Sequence, residues 1–191
     1  SGAVGRAFGA ECRQSIEKLK AEGVRIVGDR VDPLLRFFFA EFRTDWPLAR
    51  LREEQRRVAQ RAVICPLPRA EKIGAVDVAY RGDEAVAALV LTDPQGELFD
   101  FLLARAPAHF PYIRTYLSYR ELPAYLAVLR EAQKKRLWPD ILFVDGNGVL
   151  HPRRAGIATH LGVLLDLPTV GVAKSRLCGD VNTEGMAIGE W

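Results

Sequence analysis

The stretch that decides the fold is ILFVDGNGVLHPRRAGIATHLGVLLDLPTVGVAKS, residues 141–175 of a chain of 191. A continuous apolar run at 140–144 is typical of a buried strand in a parallel sheet. Residues 152–165 show the pattern of a helix, and a second buried strand is predicted at 168–173. Two strands joined by a helix form a βαβ unit. The stretch therefore predicts the parallel part of an α/β sheet.

Upstream of this unit, three predicted strands follow one another without an intervening helix. They lie at 73–80, 84–92 and 97–104, with turns at 82–83 and 93–96. Such short turns indicate an antiparallel meander, and a helix is predicted after it, at 119–135. The predicted fold class is α/β: a ribonuclease H-like mixed sheet. In this fold a three-strand antiparallel meander continues into parallel βαβ strands, with helices on both faces.

The first 45 residues form a separate part of the predicted organisation. Helices are expected at 11–22 and 33–43, with a short extended piece at 24–27. The second helix carries Phe37, Phe38, Phe39 and Phe42, which indicates a core or an interface. We expect an N-terminal extension of unknown role at 1–45 and a main domain at 46–191. The main domain opens with a helix at 47–63, whose Arg-rich face indicates a solvated surface or a nucleic-acid contact.

Composition limits the class of protein. The chain has 27 Lys+Arg, 24 Asp+Glu, a net charge of +3 and 49% apolar residues, which excludes disorder of the whole chain. This charge is too small to indicate nucleic-acid binding by itself. Three scattered cysteines, Cys12, Cys65 and Cys178, argue against a disulfide scaffold. Signal-peptide and membrane-spanning patterns are both missing. These features predict a cytoplasmic protein without a membrane partner.

Three acidic residues stand at informative positions in the predicted elements. Asp77 interrupts an apolar strand, Asp145 follows a buried strand, and Glu121 opens the helix after the meander. Ligands of open α/β sheets bind beyond the carboxyl ends of the strands, where we expect Asp77 and Asp145 to be neighbours. Clustered carboxylates suit Mg²⁺ and a phosphate. Taken singly, each acid also suits a turn cap, a helix N-terminus or an ion pair with arginine.

The segment DGNGVLHPRR, residues 145–154, adds backbone amides and cations. Glycines allow the backbone to approach a ligand closely, and a helix N-terminus attracts anions. Gly146 and Gly148 are the glycines of this segment, and His151, Arg153 and Arg154 are predicted to sit at the start of the helix. Lys174 follows the last buried strand and suits a phosphate oxygen or an attacking water, although a lysine at a strand end is often merely solvated.

Together, these segments resemble the endonuclease V family of nucleases, which act on deaminated adenine. The matching stretches are VDVAY (76–80), FPYIRTYLSYRE (110–121) and residues 141–175. A helix with Leu51, Gln55 and Ala59 is similar to the N-terminal helix of the family, so that the resemblance covers residues 46–178. It implies cleavage of the second phosphodiester bond 3′ to inosine in DNA or RNA. The implied products are a 3′-hydroxyl and a 5′-phosphate, with Mg²⁺ or Mn²⁺ required.

The resemblance also implies residue roles. Asp77, Glu121 and Asp145 match the acidic metal ligands, and Lys174 matches the catalytic lysine. Tyr112 matches an aromatic wedge that fills the gap left by the displaced base; without the resemblance it would be interpreted as an ordinary half-buried tyrosine. The positions that match the base pocket are Leu117, Gly146, Gly148 and His151. The implied partner is inosine-containing nucleic acid, and no obligate protein partner is inferred.

The sequence departs from the family pattern in three places. Arg114-Thr115 stands where the family usually has Pro-Gly, which predicts altered loop stiffness and base discrimination; a phosphate contact from Arg114 is a further hypothesis. Asn147 stands where many relatives carry His. No residue before Trp191 matches the C-terminal His of the family, so we expect a nuclease domain without the family's C-terminal elements. The alternative function is a catalytically weakened homologue that binds inosine or nucleic acid.

Overall fold

A computed structural model describes residues 12–28, 30–32, 46–67, 69–179 and 185–187. The chain divides into two compact units, Ser1–Pro47 and Leu48–Trp191. In the first unit, helix α1 (Cys12–Ala21) precedes two short antiparallel strands, β1 (Ile26–Val27) and β2 (Arg30–Val31). The first predicted helix is therefore confirmed. The Phe-rich helix predicted at 33–43 lies outside the described residues.

The main unit contains the predicted mixed sheet. Its elements are α2 (Trp46–Arg61), β3 (Ile73–Arg81), β4 (Glu84–Thr92), β5 (Leu98–Pro107), α3 (Ser118–Lys134), β6 (Ile141–Asp145), α4 (Ile157–Leu165) and β7 (Thr169–Val172). The strand order is β5-β4-β3-β6-β7. Strands β3, β4 and β5 are antiparallel, whereas β6 runs parallel to both β3 and β7. This arrangement confirms the α/β, ribonuclease H-like class. In the part of the chain that the structure describes, no helix has the length and apolar character needed to cross a bilayer.

The core lies on one face of the sheet. Leu89 of β4 pairs with Val76 of β3 and Leu102 of β5, and all three side chains are buried. Helices α3 and α4 pack over this face with Tyr125 and Leu161, among others. Burial of this apolar surface is the main stabilising contribution to the domain. The sequence predicts helices on both faces of the sheet. Helices cover this face, whereas no described helix of the main unit covers the opposite face.

The opposite face of the sheet carries exposed apolar side chains. Phe101 and Leu103 of β5 are each 60% exposed, and Val90, which pairs with Phe101, is 37% exposed. Ala75 of β3 continues this row across the sheet. Because strand side chains alternate between faces, these residues point away from the core that α3 and α4 cover. They form a contiguous apolar surface.

Helix α4 begins later than the sequence predicts, at Ile157 instead of residue 152. The reason is a tertiary contact. The N–H of Gly156 donates to the carbonyl of Gly148 over 3.0 Å, and a Cβ at Gly156 would lie 2.0 Å from the carbonyl oxygen of Asn147. This contact holds the preceding residues in turns, so the prediction that His151, Arg153 and Arg154 sit at the start of the helix was wrong by several residues.

Gly171 of β7 also supports the loop that follows β6. A Cβ at Gly171 would meet the backbone nitrogen of Gly148 at 2.5 Å and the carbonyl oxygen of Gly146 at 2.6 Å. We expect Gly171→Ala to destabilise the domain by about 2–4 kcal/mol, because backbone atoms on both sides must move. Urea unfolding measures this loss. The matched control is Gly148→Ala, whose Cβ would meet nothing closer than 3.8 Å. Equal stability of the two variants would contradict the close packing.

Candidate active site

The sheet brings two acidic residues together. Val76 of β3 pairs with Val144 of β6, and the next residues along these parallel strands are Asp77 and Asp145. Both aspartates are exposed, and Asp77 Oδ1 accepts a hydrogen bond of 2.7 Å from the backbone N–H of Val78. The expected neighbourhood of β3 and β6 is therefore present. It places two negative charges side by side where β6 ends.

Glu121 approaches the same place from the first turn of α3. Its side chain is only 7% exposed, and its Oε2 atom has no hydrogen-bond partner among the described residues. Burial, followed by the negative charges of Asp145 and Asp77, raises the pKa of Glu121 from 4.5 to about 8, against a smaller lowering by Arg120. The two aspartates thus act electrostatically on a buried carboxyl group that the charge of Arg120 compensates only in part.

The donor set of this acidic cluster suits a hard divalent cation. Three carboxyl groups offer only oxygen ligands, which Mg²⁺ and Mn²⁺ prefer. The unpartnered Oε2 of Glu121 is the atom that a cation would satisfy. Among the described residues, no three His, Cys, Asp or Glu side chains are already placed to hold a metal ion. Binding therefore requires the exposed side chains of Asp77 and Asp145 to turn towards Glu121.

Two tyrosines beside Glu121 were missed by the sequence analysis. Burial and then the charge of Glu121 raise the pKa of Tyr80 to about 12. The same two causes raise the pKa of Tyr125, whose buried hydroxyl has no hydrogen-bond partner within the described part of the chain. Arg120 lies over the Tyr80 ring, 4.4 Å from its centroid. For Tyr125 the available signal was spacing, since it follows Glu121 by one helical turn; Tyr80 lies an odd number of residues from Asp77 in its strand, so no spacing pointed to it.

His151 joins two loops. It is 5% exposed, and its Nδ1 accepts the backbone N–H of Arg153 over 3.2 Å. Its Nε2 lies 3.0 Å from the carbonyl oxygen of Thr115, which fixes the neutral tautomer with the proton on Nε2. Burial is the main cause that lowers the pKa of His151. Both ring nitrogens are engaged, so His151 orients the loops in this structure.

The remaining predicted site residues lie on these loops and at the strand ends. Tyr112 is 60% exposed, and Leu117 immediately precedes α3. Gly146 has a φ of +147° and donates its N–H to the carbonyl of Val172 over 2.7 Å. Lys174 is exposed, two residues after β7. Contacts of His151 and Arg153 with Thr115 join the loop of Tyr112 to the loop that carries Gly146 and Gly148.

Fold and site define an α/β domain of the ribonuclease H-like class with a carboxylate cluster where β6 ends beside the middle of β3. The family model for endonuclease V matches residues 54–191. The chain belongs to the endonuclease V family.

Individual relatives are similar to this chain over 62% to 88% of its length. It is 37% identical over 168 residues to a bifunctional methyltransferase/endonuclease of Picrophilus torridus, covering 88% of this chain and 53% of the relative. It is 48% identical over 120 residues to an endonuclease V of a Roseiflexus species, covering 62% of this chain and 53% of the relative. The chain therefore spans about half the length of these curated relatives.

Solved structures give the same assignment. The catalytic domain of human endonuclease V is 34% identical, with a TM-score of 0.65 over 70% of this chain and 61% of that one. Endonuclease V of Ciona intestinalis was solved with a 23mer DNA containing an inosine followed by a ribo-adenosine. It is 30% identical, with a TM-score of 0.64 over 69% of this chain and 59% of that one.

Proposed function

We propose that this protein is an endonuclease that cleaves DNA or RNA containing inosine. The observation that carries the proposal is the buried carboxyl group of Glu121 beside Asp77 and Asp145. Membership of the endonuclease V family supports it, as does the Ciona relative in complex with inosine-containing DNA. The cut falls at the second phosphodiester bond 3′ to inosine and leaves a 3′-hydroxyl and a 5′-phosphate.

Asp77, Glu121 and Asp145 would hold Mg²⁺, or Mn²⁺ in its place. Such an ion, when bound, polarises the phosphate and lowers the pKa of a bound water. The chain contributes Lys174, whose ammonium group offsets negative charge that develops on the phosphate in the transition state. The free thiols of Cys65 and Cys178 suit the reducing cytoplasm, where we place the protein.

Base recognition in this proposal uses the two loops. A nucleotide must leave the base stack to reach a pocket, at a cost of about a few kcal/mol that is smaller for a poorly paired base. The exposed ring of Tyr112 fills the gap and offsets this cost by stacking, worth about 1–3 kcal/mol. Leu117, Gly146 and Gly148 line the pocket, and His151 fixes the loops around it.

Cleavage of labelled oligonucleotides tests this function. Strands with a single inosine or adenosine, as DNA and as RNA, are incubated with Mg²⁺ or with a chelator. We expect a metal-dependent cut one nucleotide beyond inosine. Strands that are bound but remain uncut in every condition would contradict an endonuclease. That result would favour the alternative of a catalytically weakened homologue that binds inosine or nucleic acid.

Replacing Tyr112 by Ala tests the wedge. We expect the preference for inosine over adenosine strands to fall roughly 10–100-fold, because one stacking contact is lost. Affinity for an unmodified strand changes less, since phosphate contacts dominate it. Tyr112→Phe is the matched control, because it keeps the ring and removes the hydroxyl. Competition binding and kcat/KM on both strands measure the effect, and an equal loss on both would refute the wedge role.

A further inference from the structure

Thr115 has a backbone conformation that its side chain disfavours. Its φ is +71°, in the left-handed region that β-branched residues rarely adopt. Arg114 and Thr115 stand where the family pattern has Pro and Gly, respectively. A glycine in place of Thr115 would adopt this φ without strain. A strained residue of this kind persists only where its surroundings hold it.

Three side chains hold the peptide of Thr115. Its carbonyl oxygen accepts hydrogen bonds from Gln55 Nε2 over 2.9 Å, Arg153 Nη2 over 2.7 Å and His151 Nε2 over 3.0 Å. Arg153 Nη2 also donates to the Thr115 hydroxyl over 2.7 Å. This last contact exists only because the residue has a hydroxyl side chain. Thr115 thus gains a bond that glycine lacks at the same position.

The donors are themselves fixed. Gln55 of α2 is fully buried, and its Oε1 accepts a hydrogen bond of 2.5 Å from Arg153 Nε. The guanidinium of Arg153 lies over the ring of Tyr116, 4.5 Å from its centroid. The planar fork of arginine serves Gln55 and Thr115 at once, which the single ammonium of a lysine does not reproduce. These four side chains, Gln55, Thr115, His151 and Arg153, are named the Thr115 clamp.

We propose that Arg153 and the Thr115 hydroxyl are positioning residues that set the discrimination of inosine. Thr115 lies three residues after Tyr112, and the clamp fixes this end of the Tyr112 loop to the segment that follows Gly148. Rotation of the Thr115 peptide would shift Tyr112 relative to the pocket, and a misplacement of about 1 Å lowers rates up to roughly 100-fold. This inference rests on the proposed inosine-directed cleavage.

Variants of Thr115 separate the hydroxyl from the strain. Thr115→Val keeps the β-branched shape and removes the acceptor for Arg153, whereas Thr115→Ser keeps the acceptor. We expect the ratio of kcat/KM on inosine to that on adenosine strands to fall about tenfold in Thr115→Val, the loss of roughly one hydrogen bond. The ratio stays close to wild type in Thr115→Ser. Arg153→Lys lowers the ratio at least as much, because it also removes the paired contacts of the guanidinium with Gln55 and the Thr115 carbonyl.

Thr169→Val is the matched control for stability. The Thr169 hydroxyl in β7 donates to the carbonyl of Ala158 over 2.8 Å, away from the clamp. Loss of this hydrogen bond lowers the urea midpoint without changing the ratio of kcat/KM on inosine strands to that on adenosine strands. A purely structural Thr115 would behave in the same way, with a lower midpoint and an unchanged ratio, and this outcome would overturn the inference.

A double-mutant cycle tests the clamp independently of cleavage. If Thr115 and Arg153 act through one bond, the urea midpoint of Thr115→Val combined with Arg153→Lys falls by less than the sum of the single changes. Strict additivity contradicts the clamp even if the protein cleaves inosine strands. Conversely, the cycle can show this coupling while the wild-type protein cuts no inosine strand. That result would support the clamp and refute the proposed function.

Discussion

We expect Glu121→Gln to abolish the proposed cleavage of inosine strands and, without divalent cations, to make the protein more stable. Glu121 is buried beside two aspartates, and its pKa rises from 4.5 to about 8. At pH 7 the folded protein therefore keeps a proton that the unfolded chain has released. Holding the carboxyl group neutral costs about 3 kcal/mol at this pH. Glutamine avoids this cost but needs a partner for its amide, so we expect a gain of about 1–3 kcal/mol.

The pH dependence has a definite sign. Because the pKa of Glu121 is raised on folding, its cost is absent below pH 4.5, grows as the pH rises, and levels off near pH 8. The stability difference between Glu121→Gln and wild type in chelator therefore widens from pH 5 to pH 8. Urea unfolding at several pH values measures it. Glu97→Gln, at an exposed position in the turn before β5, is the control and leaves the slope unchanged.

Two outcomes would contradict this account of Glu121. One is a wild-type protein as stable as Glu121→Gln at pH 8 in chelator, because burial beside two negative charges would then carry no cost. The other is undiminished cleavage by Glu121→Gln, which would remove the residue from the proposed metal ligands. In wild type, Mg²⁺ raises the urea midpoint more at pH 8 than at pH 6, since it competes with the proton on Glu121.

We expect Asp145→Asn to lower the proposed cleavage by at least about 100-fold and to leave nucleic-acid binding in chelator intact. The change removes one of the two negative charges that act on Glu121, and with it a proposed ligand of the metal ion. It brings no new bulk to the end of β6. Binding becomes equal or slightly tighter, because one negative charge near the phosphates is lost. Strand retardation on gels measures binding, and product formation with Mg²⁺ measures cleavage.

Asp166→Asn is the matched control for Asp145→Asn. Asp166 is an exposed aspartate that ends α4 with a φ of 50°, a conformation that asparagine also adopts readily. Asp166→Asn makes the same chemical change outside the acidic cluster, and we expect this variant to cleave normally. If Asp145→Asn cleaves as well as Asp166→Asn, the assignment of Asp145 to the metal site is wrong.

The sequence predicted the sheet well because its signals are local. Apolar runs and turns place β3, β4, β5, β6 and β7 within a few residues of their observed bounds. The pairing of β3 with β6, and with it the juxtaposition of Asp77 and Asp145, follows from the strand order. Glu121 was identified as an acid at a helix start. That it is the buried member of the cluster depends on how α3 packs, which no local pattern reports.

The loop contacts were not predictable, because they join distant segments. The start of α4 depends on the close approach of Gly156 to Asn147, not on helix propensity. The resemblance singled out Gln55 as part of the N-terminal helix of the family, but no local pattern indicated that it is fully buried and bonded to Thr115. The change from Pro-Gly to Arg114-Thr115 predicted altered loop stiffness. The structure adds how Thr115 is held: its hydroxyl accepts a hydrogen bond from Arg153.

The apolar face of the sheet has a consequence for handling the protein in solution. The segment LFDFLLA, residues 98–104, combines strand-forming residues with a single charge, and its strand β5 lies at an edge of the sheet. Such a segment on an exposed edge favours pairing between chains and, eventually, fibrillar aggregates. We therefore expect β5 to limit colloidal stability at high concentration. A lysine in place of Phe101 would raise solubility without disturbing the buried core.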